Sequence, residues 1–286
     1  MDNRRQPSSN LYKRKYQHLF HRWFPQGLRE LINRLIGHAI TYRGVFSDWD
    51  DAVTVASGYT EISLLHRIEE AALAVKRGEA AWDQDGFTFN HIPPDFPLLT
   101  CLSRVALEQG GQLSILDFGG ALGNTYRQCR AYLPEVKKWR WHIVEQLYIV
   151  ESGRRNFENE EIHFHTSLKE CLDQETPNIA LLSSVLQYLP DPYGFLQQLA
   201  NSPIQYLIIN RNPCSLTKEL ITVQMIPQSL YRASYPSWLF DCEQMRKVLN
   251  RNYERLMEWD CKDPPIRGRG IGAHFTGVFL RKRGEE

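Results

Sequence analysis

The stretch Leu113, Ser114, Ile115, Leu116, Asp117, Phe118, Gly119, Gly120, Ala121, Leu122, Gly123, Asn124, Thr125 decides how this chain is read. An apolar run ends in an acid, three glycines follow at positions 119, 120 and 123, and Tyr126, Cys129 and Tyr132 then recur at helical spacing. The pattern predicts a strand, a tight turn and a helix. Glycine suits such a turn because it accepts positive φ and lets a ligand or a helix approach without a Cβ in the way. The helix N-terminus beyond it offers unpaired N–H groups and a partial positive charge.

Two ligand classes use a turn of this kind. Dinucleotide sites require Gly-x-Gly-x-x-Gly, and here the second glycine falls one position early. The alternative, acid-x-Gly-x-Gly-x-Gly, aligns with Asp117, Gly119, Ala121 and Gly123, with alanine in place of the middle glycine. That alignment resembles the first motif of the class I S-adenosylmethionine (SAM) dependent methyltransferases.

Downstream, strands and helices alternate, which argues for a parallel doubly wound sheet. Trp141 to Glu145 is a second strand ending in an acid, Ile162 to His165 a third, Asn178 to Ser184 a fourth and Ile204 to Asn210 a fifth. Tyr253 to Trp259 and Ala273 to Leu280 close the chain as two strands around a Pro/Gly-rich loop. Glu145 stands 22 residues beyond Gly123. An ionised, acceptor-only side chain at a strand's C-terminal end can bind both ribose hydroxyls of an adenosyl group. NAD sites use the same device, so Glu145 alone does not separate the two cofactors.

The fourth strand does. It runs Leu181, Leu182, Ser183, Ser184, Val185, Leu186, Gln187, Tyr188, Leu189, Pro190, Asp191, Pro192. This resembles small-molecule methyltransferases in which the strand ends in a polar pair and a Leu-Pro-Asp-Pro helix start follows, Asp191 capping the helix. Together with Val-Glu-Gln at 144–146, Asp-Pro-Tyr at 191–193, Asn-Arg-Asn-Pro at 210–213, Tyr-Pro-Ser-Trp at 235–238 and Gly58-Tyr59, these motifs resemble a bacterial family of methyltransferase-like proteins. Members of that family are found among surface-polysaccharide and other glycan-building genes.

The resemblance implies an α/β, Rossmann-like class I methyltransferase fold: a seven-stranded, mostly parallel sheet, last strand antiparallel, with an N-terminal helical cap. It implies SAM as cofactor. Asp117, Gly119, Gly120, Ala121 and Gly123 would line the methionine end, Glu145 with Gln146 the ribose, Ser183 and Ser184 the floor beside the methyl group. Thr166 and Ser167 hold the place after the third strand where such proteins bracket the adenine, often with an Asp.

Upstream, residues 1–40 form a basic segment. Arg4, Arg5, Lys13, Arg14, Lys15, Arg22, Arg29 and Arg34 outnumber Asp2 and Glu30, and Leu28, Leu31, Ile32, Leu35 and Ile36 recur at helical spacing. A basic amphipathic helix there could touch an anionic membrane or dock on the main domain. Residues 41–110 read as a helical cap whose loops, around Trp82, Asp83, Asp85 and His91, are candidates for a substrate lid. Residues 111–286 form the cofactor-binding domain.

Composition narrows the classes. Lys and Arg number 34 against 33 Asp and Glu, so no global basic field points to nucleic acid. The polar opening residues lack the apolar core of a signal peptide, and no run reaches membrane-spanning length, so the cytoplasm is expected. Six scattered cysteines (101, 129, 171, 214, 242, 261) are expected to be buried thiols. No carboxylate cluster asks for a metal. His163 and His165 would share one face of a strand, but two histidines without a third ligand usually pack instead.

Methyl transfer to an alcohol needs alignment and a general base. Candidates that could point at the methyl are His91 in the cap, Tyr188 after the fourth strand, Arg211 after the fifth and His274 on the last. Arg211 could also bind a phosphate or carboxylate on the acceptor. Tyr59, Trp82, Tyr235 and Trp238 could wall a sugar ring. The expected activity is O-methylation of a sugar or glycan precursor; the alternative is a catalytically inactive accessory protein that keeps the fold.

Overall fold

The computed structural model describes residues 40–57, 62–227, 233–268 and 270–284. The amphipathic helix expected within residues 28–36, and Gly58 with Tyr59, lie outside them. First come β1 (Thr41–Phe46), α1 (Trp49–Val55), α2 (Ile62–Lys76), the hairpin β2 (Trp82–Gln84) and β3 (Phe87–Phe89), and α3 (Phe96–Glu108). Strand–helix units follow: β4 (Gln112–Phe118) with α4 (Asn124–Tyr132), β5 (Lys138–Val144) with α5 (Leu147–Asn156), β6 (Ile162–His165) with α6 (Leu168–Gln174), and β7 (Ile179–Ser183) with α7 (Pro192–Asn201). The remainder is β8 (Tyr206–Ser215), β9 (Leu220–Ile226), β10 (Ala233–Leu239), α8 (Cys242–Leu249), β11 (Tyr253–Asp260), β12 (Ile266–Gly268) and β13 (Ile271–Lys282).

The main sheet has the order β11-β13-β8-β7-β4-β5-β6, with β12 paired to β13. Counted along the chain, its seven through-strands lie 3-2-1-4-5-7-6, the last of them antiparallel to both neighbours. That is the Rossmann-like methyltransferase fold. Successive residues of each strand feed opposite faces, as a period of two requires. Ile115, Trp141, Ile143, Leu181 and Ile208 pack on one side, Leu116, Val144, Leu182, Leu207 and Ile209 on the other. Each is buried, contributing about 1.5–3 kcal/mol apiece. Apolar runs without alternation, such as Ile179–Leu182, are what a strand covered on both faces demands. Strands β4 and β7 are neighbours, so the order reverses between them and a crevice opens at their C-terminal ends.

Residues 41–110 are not purely helical. Besides α1, α2 and α3 they supply β1, which joins β9 and β10 in a second, antiparallel sheet, and the β2–β3 hairpin, where the sequence suggested only turn and loop. Tyr42 pairs with Gln224, far along the chain, and that register is invisible in the local pattern. Trp49 of α1 stacks on Trp238 of β10 at 6.0 Å, fastening the two segments. The thiol expectation also needs correcting: Cys214 of β8 and Cys242 of α8 form a disulfide, while Cys101, Cys129 and Cys171 are buried free thiols. No helix among the described residues is long and apolar enough to cross a membrane.

Candidate active site

The glycine turn after β4 is built as tightly as its sequence suggests. Gly119 has φ +76°, and a Cβ there would lie 2.6 Å from Val185 Cγ2. Gly123 has φ +84°, caps α4, and leaves no room for a Cβ beside Ile162. Ala121, where the motif has its middle glycine, holds the same left-handed region at φ +47°. The conformation survives the substitution, at the cost of backbone strain. Asp117 lies beneath the turn, 2% exposed, and Trp141 Nε1–H donates to its Oδ2 at 2.9 Å. Burial pushes its carboxyl up to about 7, against the pull of that hydrogen bond.

Glu145 follows β5 directly. Its Oε1 accepts the Ala121 N–H at 3.3 Å and its Oε2 the Gln146 N–H at 2.8 Å. Burial raises its pKa, with both backbone bonds opposing. Each oxygen keeps lone pairs for further donors. After β6, the Thr166 hydroxyl donates to Glu170 at 2.5 Å and Ser167 caps α6 by accepting the Glu170 N–H at 3.0 Å. These hydroxyls are therefore largely committed to the helix start. The hydrogen bonds from Thr166 hold the Glu170 carboxyl down at about 2.

A cavity of about 1060 Å³ opens over these strand ends. Its floor includes Asp117, Gly119, Gly120, Ala121, Glu145, Gln146, Thr166, Ser167, Ser183 and Ser184. Its roof comes from α2, the β2–β3 turn and the small sheet, through Leu65, Asp85, Tyr42, Gln224 and Tyr235. The volume exceeds the usual range for one small molecule, about 300–1,000 Å³.

Two local devices arm the roof side. Opposite Gly277 of β13 stand two residues of β8, Asn210 and Arg211, a bulge that puts Arg211 at φ +55°. Arg211 lines the cavity and donates through Nε and Nη2 to Asp263 Oδ1 at 3.0 and 2.7 Å. Asn210 is held by Asp95, which accepts from its Nδ2 at 2.8 Å, and by Trp259 Nε1, which donates to its Oδ1 at 3.2 Å. The second device is the Asp85-Gly86 turn, with φ +51° and +77° and Gln84 paired to Phe87, as a two-residue type I′ hairpin requires. Buried Asp83, paired with Arg127 of α4 at 2.5 Å, anchors that hairpin beside the glycine turn. Asp85 lines the cavity and is itself exposed to solvent, while the protein around its carboxyl raises the pKa by desolvation, with Arg211 opposing.

Of the expected site residues, Gly123 packs behind the turn instead of lining the cavity. His91 is exposed after β3 and His274 is exposed on β13, and both stand outside the cavity lining. Tyr188 lines the cavity, but its hydroxyl donates to Gln224 at 2.7 Å and burial pushes it up to about 12. Arg211 is spent on Asp263. Trp82 packs in the core and Trp238 against Trp49, and Tyr42, Tyr188, Tyr235 and Phe275 are among the aromatic residues that line the cavity. Asp85 and Asp263 were not singled out for chemistry by sequence; the Asp-Gly pair between Trp82-Asp83-Gln84 and Phe87-Thr88-Phe89 was the available signal for the first.

No protein-family model matches the chain, and no curated protein sequence matches it. Among solved structures, it is similar to a SAM-dependent methyltransferase from Clostridium acetobutylicum, with TM-score 0.43 and 10% identity over 76% of this chain and 98% of that one. It is also similar to the N-methyltransferase NodS from Bradyrhizobium japonicum in complex with S-adenosylhomocysteine (SAH), with TM-score 0.38 and 13% identity over 66% and 88%. A third is the N-terminal domain of EvdMO1 in the presence of SAH and D-fucose, with TM-score 0.42 and 13% identity over 77% and 96%. At such values the assignment of the fold rests on this chain's own strand order.

Proposed function

We propose that this chain is a SAM-dependent O-methyltransferase acting on a sugar or related polyhydroxylated precursor. The observation that carries the reading is the position of Glu145, an acceptor-only carboxylate on the cavity floor at the end of β5, bonded to the backbone of the glycine turn at the sheet's switch point. The donor set fits an adenosyl cofactor: lone pairs on Glu145 for the ribose, Thr166 and Ser167 beside the adenine, and the turn from Gly119 to Ala121 with Ser183 and Ser184 around the methionine end. When bound there, the cofactor supplies an electrophilic methyl group on a positively charged sulfur.

The chain's own residues do the rest. Asp85 takes the proton of the acceptor hydroxyl on a carboxylate oxygen. Its raised pKa brings it closer to neutrality, where a general base works best. The Arg211–Asp263 pair fixes the bulge side of the cavity and neutralises that guanidinium, which at that position favours a neutral acceptor over an anionic one. Tyr42, Tyr188 and Tyr235 offer apolar faces with polar tips, the surface that sugar rings stack against.

The test is calorimetric titration of the purified chain with SAH, with Glu145→Ala and an NAD control alongside, followed by a screen of nucleotide sugars and glycan precursors as methyl acceptors. Micromolar binding, about −8 kcal/mol, that is lost in the variant is expected. Absence of SAH binding by the wild type overturns the cofactor assignment. SAH binding without turnover of any such acceptor moves the chain to the accessory-protein reading.

A further inference from the structure

Beneath the adenine side of the cavity lies a cluster that the chemistry above does not use. His142 of β5, His165 at the end of β6 and Cys171 of α6 are all buried, and one ligand atom from each lies within 4.8 Å of the others. His142 Nδ1 and His165 Nε2 are 3.4 Å apart. That is long for a hydrogen bond. It is also about the separation, roughly 3.3 Å, of two nitrogens bound at about 2.0–2.1 Å to one tetrahedral zinc ion. The other nitrogen of each ring, His142 Nε2 and His165 Nδ1, is buried with no hydrogen-bond partner. Two enclosed imidazoles sharing one long contact are poorly satisfied as a purely packed pair.

We propose that His142, His165 and Cys171 form a structural zinc site. Two nitrogens and a thiolate are the donor set that a borderline-soft divalent ion selects. The sulfur needs to draw in by roughly 1 Å, to the ~3.6 Å from each nitrogen that a tetrahedron sets. As the Zn–S bond forms, the Cys171 S–H bond breaks and its proton passes to solvent. These side chains supply three of the four positions of a tetrahedron. Glu175 Oε2 lies 3.9 Å from His142 Nε2, beyond hydrogen-bond distance, and has to draw in to accept that ring's N–H and complete the carboxylate–histidine–metal arrangement that orients a ligand. His163 is not part of the set: its Nδ1 faces Glu158 Oε1 at 3.6 Å. The site would tie α6 to β5 and β6 directly below Thr166 and Ser167, bracing that cavity wall whatever the chain's reaction turns out to be.

The full-length chain, stripped with a chelator, is titrated with Zn²⁺ in competition with a chromophoric chelator, and in parallel with Co²⁺ followed by absorption. One equivalent of zinc with submicromolar affinity is expected, together with a cobalt spectrum showing tetrahedral d–d bands and a thiolate charge-transfer band. Cys171→Ser should abolish the charge-transfer band, His142→Gln should weaken zinc at least tenfold, and Cys101→Ser and His163→Gln should leave both unchanged. Zinc should also raise the wild-type unfolding temperature, a readout that needs no variant to fold. Failure to bind stoichiometric zinc, a cobalt spectrum without the thiolate band, or a band that persists in a folded Cys171→Ser overturns the proposal.

Discussion

Oε1 of Glu145 accepts the backbone N–H of Ala121 at 3.3 Å, so the acid that ends β5 is bonded to the loop position where alanine stands in a left-handed conformation. Two features that the sequence shows 24 residues apart are one structural unit. The carboxylate holds the turn, and the turn positions the carboxylate.

Ala121→Gly should therefore stabilise the chain. Glycine adopts φ +47° without the steric cost that alanine bears, and its greater freedom when unfolded cancels only part of the gain. A net increase of about 0.5–1 kcal/mol in chemical denaturation is expected, with SAH affinity within about twofold of wild type.

Asp117 gives a pH signature. Its carboxyl sits at about 7 when folded, against an ordinary value of 3.8, so the folded chain binds the proton more tightly than the unfolded one. The associated stability is complete below about pH 4 and is lost as pH rises through 7, a penalty of roughly 4 kcal/mol by pH 8. Asp117→Asn, which can still accept from Trp141, should be more stable than wild type at pH 8, and the difference should shrink by more than half at pH 5. Urea denaturation at the two pH values measures this; a constant difference would mean that the buried carboxyl does not titrate in that window.

For Asp85, removal of the carboxylate should affect turnover and spare the cofactor. Asp85→Asn keeps the turn-forming residue type and is expected to lower kcat by about 10²–10⁴-fold, with SAH affinity unchanged. Because a base must be deprotonated and this carboxyl is raised, the acidic limb of the wild-type rate profile should lie above the ordinary carboxylate range, about pH 4. Equal losses in turnover and SAH binding would assign Asp85 to the fold of the hairpin instead.

The bulge at Asn210–Arg211 can be tested from behind. A Cβ on Gly277 would fall 2.1 Å from the Trp259 ring, whose Nε1–H holds Asn210. Gly277→Ala should displace that indole, costing about 1–3 kcal/mol of stability. Loss of the bulge should raise the acceptor KM more than it changes SAH affinity, read by steady-state kinetics beside calorimetry.

What the chain disclosed in advance was whatever is written locally. The apolar runs ending in Asp117, Glu145 and Ser183, the glycines at 119 and 123, and the Asp191 cap all encode geometry within a few residues of themselves, and β4 to β7 formed where they indicated. The roof is different. Tyr42 and Gln224 determine each other's place only through pairing across the whole domain, and the bulge at Arg211 exists because β13 is one residue short opposite it. The I′ turn is written in the Asp85-Gly86 pair, but three-residue strands on either side carry too little alternation to mark a hairpin. His142 likewise meets His165 and Cys171 only because β5 and β6 are parallel neighbours with α6 above them.

The pairing of β1 with β9 also sets an order of assembly. The strand–helix units from β4 to β7 pair over shorter separations, Asp117 with Leu181 across β4 and β7, whereas Thr41 must wait for Met225 to be synthesised before its strand has a partner. Contacts of such long range form late and slowly. Nascent chains stopped just short of Leu220, where β9 begins, would carry the floor strands without the small-sheet part of the roof, so protease sensitivity near residues 41–57 should persist after the strands beneath have become protected.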